Sequence, residues 1–361
     1  MSAAAERDQT VLAERVRLEI ERTIRRGIKG VEYLGSPAAV VGQTPKEVIH
    51  KQGTLNLYHY MPMSDEIYRV PILIVMATSN RGYILDLAPG QSFVEFLLKS
   101  GYDVYMIDWS TPSPDEKRLR FEDYTLRFIP ECARRVRERS GEGELSVLGY
   151  CMGGVLSTIY VALRGAQDGV KNLVCFTTPI DFRGMTLFRK WSDQRFFDVD
   201  RLVDATGNVP SELIFSGFDM LRPASRIASQ IQLWDNMWND EFVKSYRRFE
   251  RWGNDTLPLA GEYFRQTVKE LIWKNALYEG TLELEGRRVD LGNITVPMLH
   301  ALAEHDHIVP YEAAGPLIER VGSGDKQQIV LKGGHVSIAA GPNASKRLWP
   351  RLDAWLGGRS V

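Results

Sequence analysis

The chain has 361 residues, 44% hydrophobic and 25% charged, with a formal net charge of −1. These values describe a soluble globular protein with a large core, and they exclude a bulk electrostatic pull towards nucleic acid or anionic membrane. Three cysteines (Cys132, Cys151 and Cys175) are too few for a disulfide scaffold and fit a reducing cytoplasm.

The first residues carry Glu6, Arg7 and Asp8 and no apolar h-region, so no secretory signal is expected. No apolar run reaches the roughly 18 residues of a membrane span. Residues 9–29 predict one amphipathic helix, because Leu12, Val16, Ile20 and Ile24 recur at four-residue steps on one face. That stripe is expected to pack on the domain surface. Residues 30–63 show no clear period and are expected to wrap the core.

From there the pattern changes. Short apolar runs at 71–76, 103–107, 145–148, 170–175, 297–302 and 328–331 read as strands buried on both faces, the mark of a parallel sheet. Helical patterns at 93–100, 122–138 (with a break at Pro130) and 154–164 separate several of them. Strand alternating with helix predicts right-handed βαβ units and a doubly wound α/β sheet. Between about 184 and 284 the alternation stops, and helical stretches such as 260–277 dominate. This stretch holds Trp191, Trp234, Trp238, Trp252 and Trp273, five of the eight tryptophans. It predicts a mainly helical cap folded over the carboxyl ends of the strands, where such sheets place their ligands. The predicted organisation is an N-terminal helix and wrapping segment at 1–66, a core at 67–183 and 285–361, and a cap at 184–284.

Gly149-Tyr150-Cys151-Met152-Gly153 lies between the strand ending at Leu148 and the helix opening at Gly154. This is the nucleophile elbow of an α/β-hydrolase fold with cysteine in the serine position. The nucleophile there occupies a sharp, strained turn. Side chains two residues away would meet the neighbouring backbone, so both positions need glycine. With 31 glycines in 361 residues, two of them flanking one of three cysteines is a rare coincidence. The helix N-terminus pointed at such a sulfur favours its thiolate form. Cys132 and Cys175 lie in apolar helix and strand patterns and read as inert core.

In this fold the acid and the histidine follow the nucleophile in the chain. Asp306 follows the strand at 297–302, and His335, after Gly333 and Gly334, follows the last strand. Glu304, His305 and His307 are rivals of Asp306 at the same strand end. His50, His59 and His300 lack such a context. The oxyanion hole is expected from the backbone N–H of Met152 and of Ser79, in the loop after the first core strand. No metal or cofactor is implied.

These motifs also resemble those of the polyhydroxyalkanoate synthases. The cysteine box at 149–153 is joined by segments at 80–87, 107–109, 177–182, 306–310 and 333–335, and within the cap by 207–210 and 260–265. The resemblance runs from about residue 50 to the end. It implies polymerisation of (R)-3-hydroxyacyl-CoA, with 3-hydroxybutyryl-CoA as the expected thioester, into polyester through an acyl group on Cys151, with release of CoA. Asp306 and His335 complete the triad. The chain is similar in length to the short catalytic subunit of the two-component type. That implies a second synthase subunit, a homodimer, and a place in the cytoplasm at polyester granules. The competing enzyme reading is a hydrolase with the same triad: a thioesterase, dienelactone hydrolase or polyester depolymerase. A non-catalytic granule-coat subunit is the reading from another class.

Overall fold

The computed structural model describes residues 3–341 and 344–361. The chain forms two compact units, one of residues 1–40 with 222–251 and one of 41–221 with 252–361.

The larger unit is built on an eight-stranded sheet in the order β1-β2-β4-β3-β5-β6-β9-β10. Its strands are β1 (Lys46–Gln52), β2 (Leu55–Tyr60), β3 (Ile72–Val75), β4 (Val104–Trp109), β5 (Leu145–Tyr150) and β6 (Val170–Phe176). A two-residue ribbon, β7 (Glu283–Leu284) with β8 (Arg287–Arg288), stands apart. β9 (Met298–Ala303) and β10 (Lys326–Leu331) finish the sheet. β3 to β6, β9 and β10 pair in parallel, as the apolar runs require. Every residue of β3, β4, β5 and β9 is buried, because helices cover both faces.

The segment expected to wrap the core does more than wrap it. β1 and β2 form an antiparallel hairpin, and β2 pairs antiparallel with β4, extending the sheet at that edge. A half-exposed edge hairpin has a weak period, with a register shift between Val48 and His50, so its sequence does not read as strand.

Helix α1 spans Ala3–Leu34, longer at both ends than its pattern predicts. α2 (Phe93–Lys99), α3 (Ile129–Ser140) and α4 (Met152–Arg164) lie where they were read. The region at 122–138 is a π-helical turn over Asp123–Phe128 leading into α3, with Pro130 in the first turn of α3, where its missing N–H costs nothing. In the cap the larger unit holds α5 (Thr186–Trp191), α6 (Val199–Thr206) and α7 (Ser211–Asp219). α8 (Pro223–Asp235) and most of α9 (Asp240–Asn254) belong to the smaller unit. α10 (Gly261–Gln266) returns to the larger one and continues as a π-helix over Thr267–Trp273.

The smaller unit corrects one expectation. Leu12, Val16, Ile20 and Ile24 do not pack; each is more than half exposed. α1 turns its polar face inward instead. Arg22 stacks over the Trp238 ring, Lys29 pairs with Asp240, and the Tyr33 hydroxyl donates to Glu250. Cation–π and charge-assisted contacts outcompete apolar packing here because α8 and α9 present rings and carboxylates to α1.

Candidate active site

The strand end at Tyr150 turns sharply into α4, and the turn residue is Cys151, with φ 55° and ψ −122°. A non-glycine residue rarely holds such a conformation. Three backbone bonds hold it here: the Cys151 N–H donates to the Phe176 carbonyl at 2.9 Å, and its own carbonyl accepts from Gly154 at 2.9 Å and from Val155 at 3.2 Å. The flanking glycines are required by contact. A Cβ on Gly149 would stand 2.5 Å from the Gly154 Cα, and one on Gly153 2.1 Å from the Val75 carbonyl oxygen. The second clash also places the end of β3 against the first turn of α4.

Asp306 and His335 come from the ends of β9 and β10, which pair in parallel and therefore deliver their following loops side by side. Asp306 Oδ2 accepts from His335 Nδ1 at 2.7 Å, and Oδ1 accepts from the N–H groups of Ile308 and Val309 at 2.9 and 2.8 Å. These bonds fix both carboxylate oxygens and leave His335 Nε2 for the thiol. Glu304, His305 and His307 are exposed, whereas Asp306 is buried and is the one of the four that bonds the His335 ring.

Burial alone would push the His335 imidazole down. The Asp306 carboxylate and the Cys151 sulfur, by charge and by hydrogen bonding, outweigh that and raise it to about 10. The site therefore favours the charged, imidazolium form of His335. The other cysteines behave as core: burial pushes the Cys175 thiol up to about 12 and the Cys132 thiol higher still. His300, wholly buried, is pushed down to about 3 and is held by a bond from the Thr178 N–H. His59 stacks on Tyr105 with ring centroids 4.3 Å apart and bonds Asp103, a structural arrangement at the sheet edge.

The loop after β3 runs beside the elbow. Among the described residues, the N–H groups of Met152 and Ser79 have no acceptor in the protein, and neither has that of Thr78. Several contacts hold this loop in place. The Trp109 indole donates to the Met76 carbonyl at 2.8 Å, and Asp108 Oδ1 accepts from the Gly82 N–H at 2.7 Å. A strap at 252–257 adds three bonds: Trp252 Nε1 to the Arg81 carbonyl, the Tyr83 hydroxyl to Asp255, and the Leu257 N–H to the Ser79 carbonyl. Tyr263 of α10, fully buried, has Thr78 and Cys151 as neighbours. Tyr150 covers the imidazole, with ring centroids 5.3 Å apart. Sequence reasoning missed Tyr150, Tyr263 and the strap. Tyr150, Tyr263, Asp108 and Trp109 lie within the motif segments 149–153, 260–265 and 107–109, which carried no role for these side chains.

No described group of three or more His, Cys, Asp or Glu residues could hold a metal ion, and no described helix is long and apolar enough to cross a membrane.

The frame that carries these residues is an α/β-hydrolase fold, whose family model matches residues 84–342. A solved soluble variant of monoglyceride lipase from Saccharomyces cerevisiae shares it with a TM-score of 0.54 at 14% identity, covering 90% of this chain and 100% of that one. A second family model, the N-terminus of poly-beta-hydroxybutyrate polymerase (PhaC), matches residues 36–97. The poly(3-hydroxyalkanoate) polymerase subunit PhaC of Allochromatium vinosum is 34% identical over 95% of this chain and 96% of its own length. That of Haloferax mediterranei is 38% identical over 89% of this chain, which spans 65% of that longer protein. The chain belongs to the poly(3-hydroxyalkanoate) polymerase PhaC family.

Proposed function

We propose that this chain polymerises (R)-3-hydroxyacyl-CoA, with 3-hydroxybutyryl-CoA as the thioester, through an acyl group carried on Cys151. The observation that carries the proposal is the strained Cys151 elbow facing a His335 locked by Asp306, on a chain of this family.

His335 Nε2 takes the thiol proton and the Cys151 thiolate attacks the thioester carbonyl. The N–H groups of Met152 and Ser79 receive the oxyanion. Collapse breaks the carbon–sulfur bond to CoA, and the imidazolium returns its proton to the departing thiolate, so free CoA leaves. A second acyl group then brings its 3-hydroxyl. His335, oriented by Asp306, removes that proton, the alkoxide attacks the acyl-enzyme, and an ester forms as the Cys151 sulfur leaves. Thioester exchange between sulfurs is nearly balanced in energy, which suits a thiol nucleophile. Coenzyme A enters as part of the substrate, and the chemistry needs no metal or redox cofactor.

The cap residues closing on the site favour polymerase over hydrolase, since the acyl-enzyme must be kept from water. A second, dissimilar subunit completes the active enzyme at the surface of polyester granules. The test is to incubate the purified chain with 3-hydroxybutyryl-CoA and follow CoA release alongside polymer. CoA release matched by polymer is expected. CoA release matched by free hydroxy acid would make the chain a thioesterase. Equal rates with and without the second subunit would remove the partner.

A further inference from the structure

The strand order divides the surface around Cys151. β5 lies between β3 and β6, and β9 lies beyond β6. These strands pair in parallel, so the loops that follow them lie at the same edge as the elbow. The loop after β3, with the N–H groups of Thr78 and Ser79, flanks the sulfur on one side. The loops after β6 and β9 flank it on the other. That second side is apolar. Leu302, Val309, Ala313 and Ala314 form a buried cluster, and Cys151, Met185 and Ile308, each half-buried, pack against it.

Met185 and Ile308 are held there by backbone. The Ile180 and Asp181 N–H groups both donate to the Ala313 carbonyl, at 2.9 and 3.0 Å. A Cβ on Gly184 would stand 2.6 Å from the Ala313 nitrogen, so the chain runs against the short helix Tyr311–Ala314 as closely as glycine permits, and Met185 comes next. The Met185 N–H in turn donates to the Phe182 carbonyl at 3.1 Å. The Ile308 N–H is one of the two donors to Asp306 Oδ1, so the turn that fixes the acid fixes Ile308 as well.

An acyl group on Cys151 turns its carbonyl oxygen to the N–H groups of Met152 and Ser79. Its C3 carries a hydroxyl and an alkyl substituent. The alkyl substituent gains by leaving water for an apolar surface, and the half-buried apolar side chains that share a cluster with the sulfur are Met185 and Ile308. Ala313 and Ala314 in that cluster are small and wholly buried. A wall backed by packed core does not retreat from a longer chain.

We propose that Met185 and Ile308 form the wall that receives the alkyl substituent at C3 of the acyl group and thereby limit its length. The proposal rests on the reading that Cys151 takes its acyl group from a 3-hydroxyacyl-CoA.

The test uses the full chain and first-turnover CoA release from (R)-3-hydroxybutyryl-CoA and (R)-3-hydroxyhexanoyl-CoA, which polymerase and hydrolase chemistry share. The wild type should favour the four-carbon thioester by about 10-fold or more, the scale on which an apolar pocket discriminates methylenes. Met185→Ala should raise the six-carbon to four-carbon ratio of kcat/KM by about 10-fold or more. Ile308→Val, which keeps the backbone donor to Asp306, should raise it several-fold. Leu213→Ala, exposed on α7 of the same cap, should leave the ratio within about twofold. Alkylation of Cys151 by iodoacetamide identifies the variants whose site is folded, and if Met185→Ala loses it, Ile308→Val decides. Unchanged ratios in the folded wall variants overturn the proposal. So does a wild type without preference between the two thioesters, or an equal shift in Leu213→Ala. No CoA release by the wild type from either thioester overturns the reading beneath the proposal and the proposal with it, and needs no variant to be seen.

Discussion

Helix α4 buries ten of its thirteen residues, whereas α1, 32 residues long, leaves its apolar stripe in solvent. The difference lies in what each helix meets. α4 enters the sheet through a turn so tight that Gly149 and Gly153 touch backbone, and its apolar side has nowhere else to go. α1 meets α8 and α9 through rings, carboxylates and a carbonyl, and those partners select its polar face. An apolar stripe therefore defines a face; the neighbours decide whether that face is buried.

The sharpest way to break this contrast is at the elbow. Cys151→Ala should lower CoA release by about 10⁴-fold or more while leaving thermal stability near wild type, since a small side chain fits the turn. Cys132→Ala and Cys175→Ala, both in the core, should keep activity and cost about 1 kcal/mol each in denaturant titration. Near-normal turnover by Cys151→Ala would end the nucleophile assignment.

Asp306→Asn should slow turnover by roughly 10²- to 10⁴-fold, by loss of the bond that orients His335. Glu304→Gln, exposed at the same strand end, should stay within about twofold. Steady-state CoA release decides between them, and the reverse order would reassign the acid.

Glycines give the contrast in stability rather than rate. Gly153→Ala would put a methyl into the Val75 carbonyl and should destabilise by about 3 kcal/mol or more. Gly27→Ala in α1 meets nothing within 4 Å and should stabilise by about 0.5–1 kcal/mol. Equal effects in thermal melts would mean that the elbow is looser than its contacts require.

Trp252→Phe removes one bond of the strap to the loop after β3. It should lower acylation by CoA thioester several-fold, on the order of a lost 1 kcal/mol hydrogen bond. Alkylation of Cys151 by iodoacetamide, which forms no oxyanion, should be unchanged. Parallel losses in both assays would show a general distortion of the site.

The smallest effect concerns pH. His335 is raised from 6.5 to about 10, so the stability it contributes is fully present below pH 6.5 and is lost as pH rises through about 10. Wild type should therefore lose more melting temperature between pH 7 and pH 10 than His335→Gln does. Identical losses would show that imidazolium is not favoured in the folded state.

The six strands of the parallel sheet and the glycine-flanked turn at Cys151 between β5 and α4 were legible in the residues. Each rests on a local rule: apolar runs buried on both faces, and glycines at a turn that admits nothing larger. Four other features were decided by tertiary structure. The β1–β2 hairpin depends on pairing with β4, whose residues lie far along the chain. Asp306 stands out from Glu304, His305 and His307 through burial and its bond to the His335 ring, which spacing does not encode. The strap at 252–257 holds the loop after β3 through two backbone carbonyls and the Tyr83–Asp255 side-chain pair, contacts between distant segments that no local pattern marks. The direction of α1 was set by which face found partners, because amphipathicity defines two faces and only packing chooses between them.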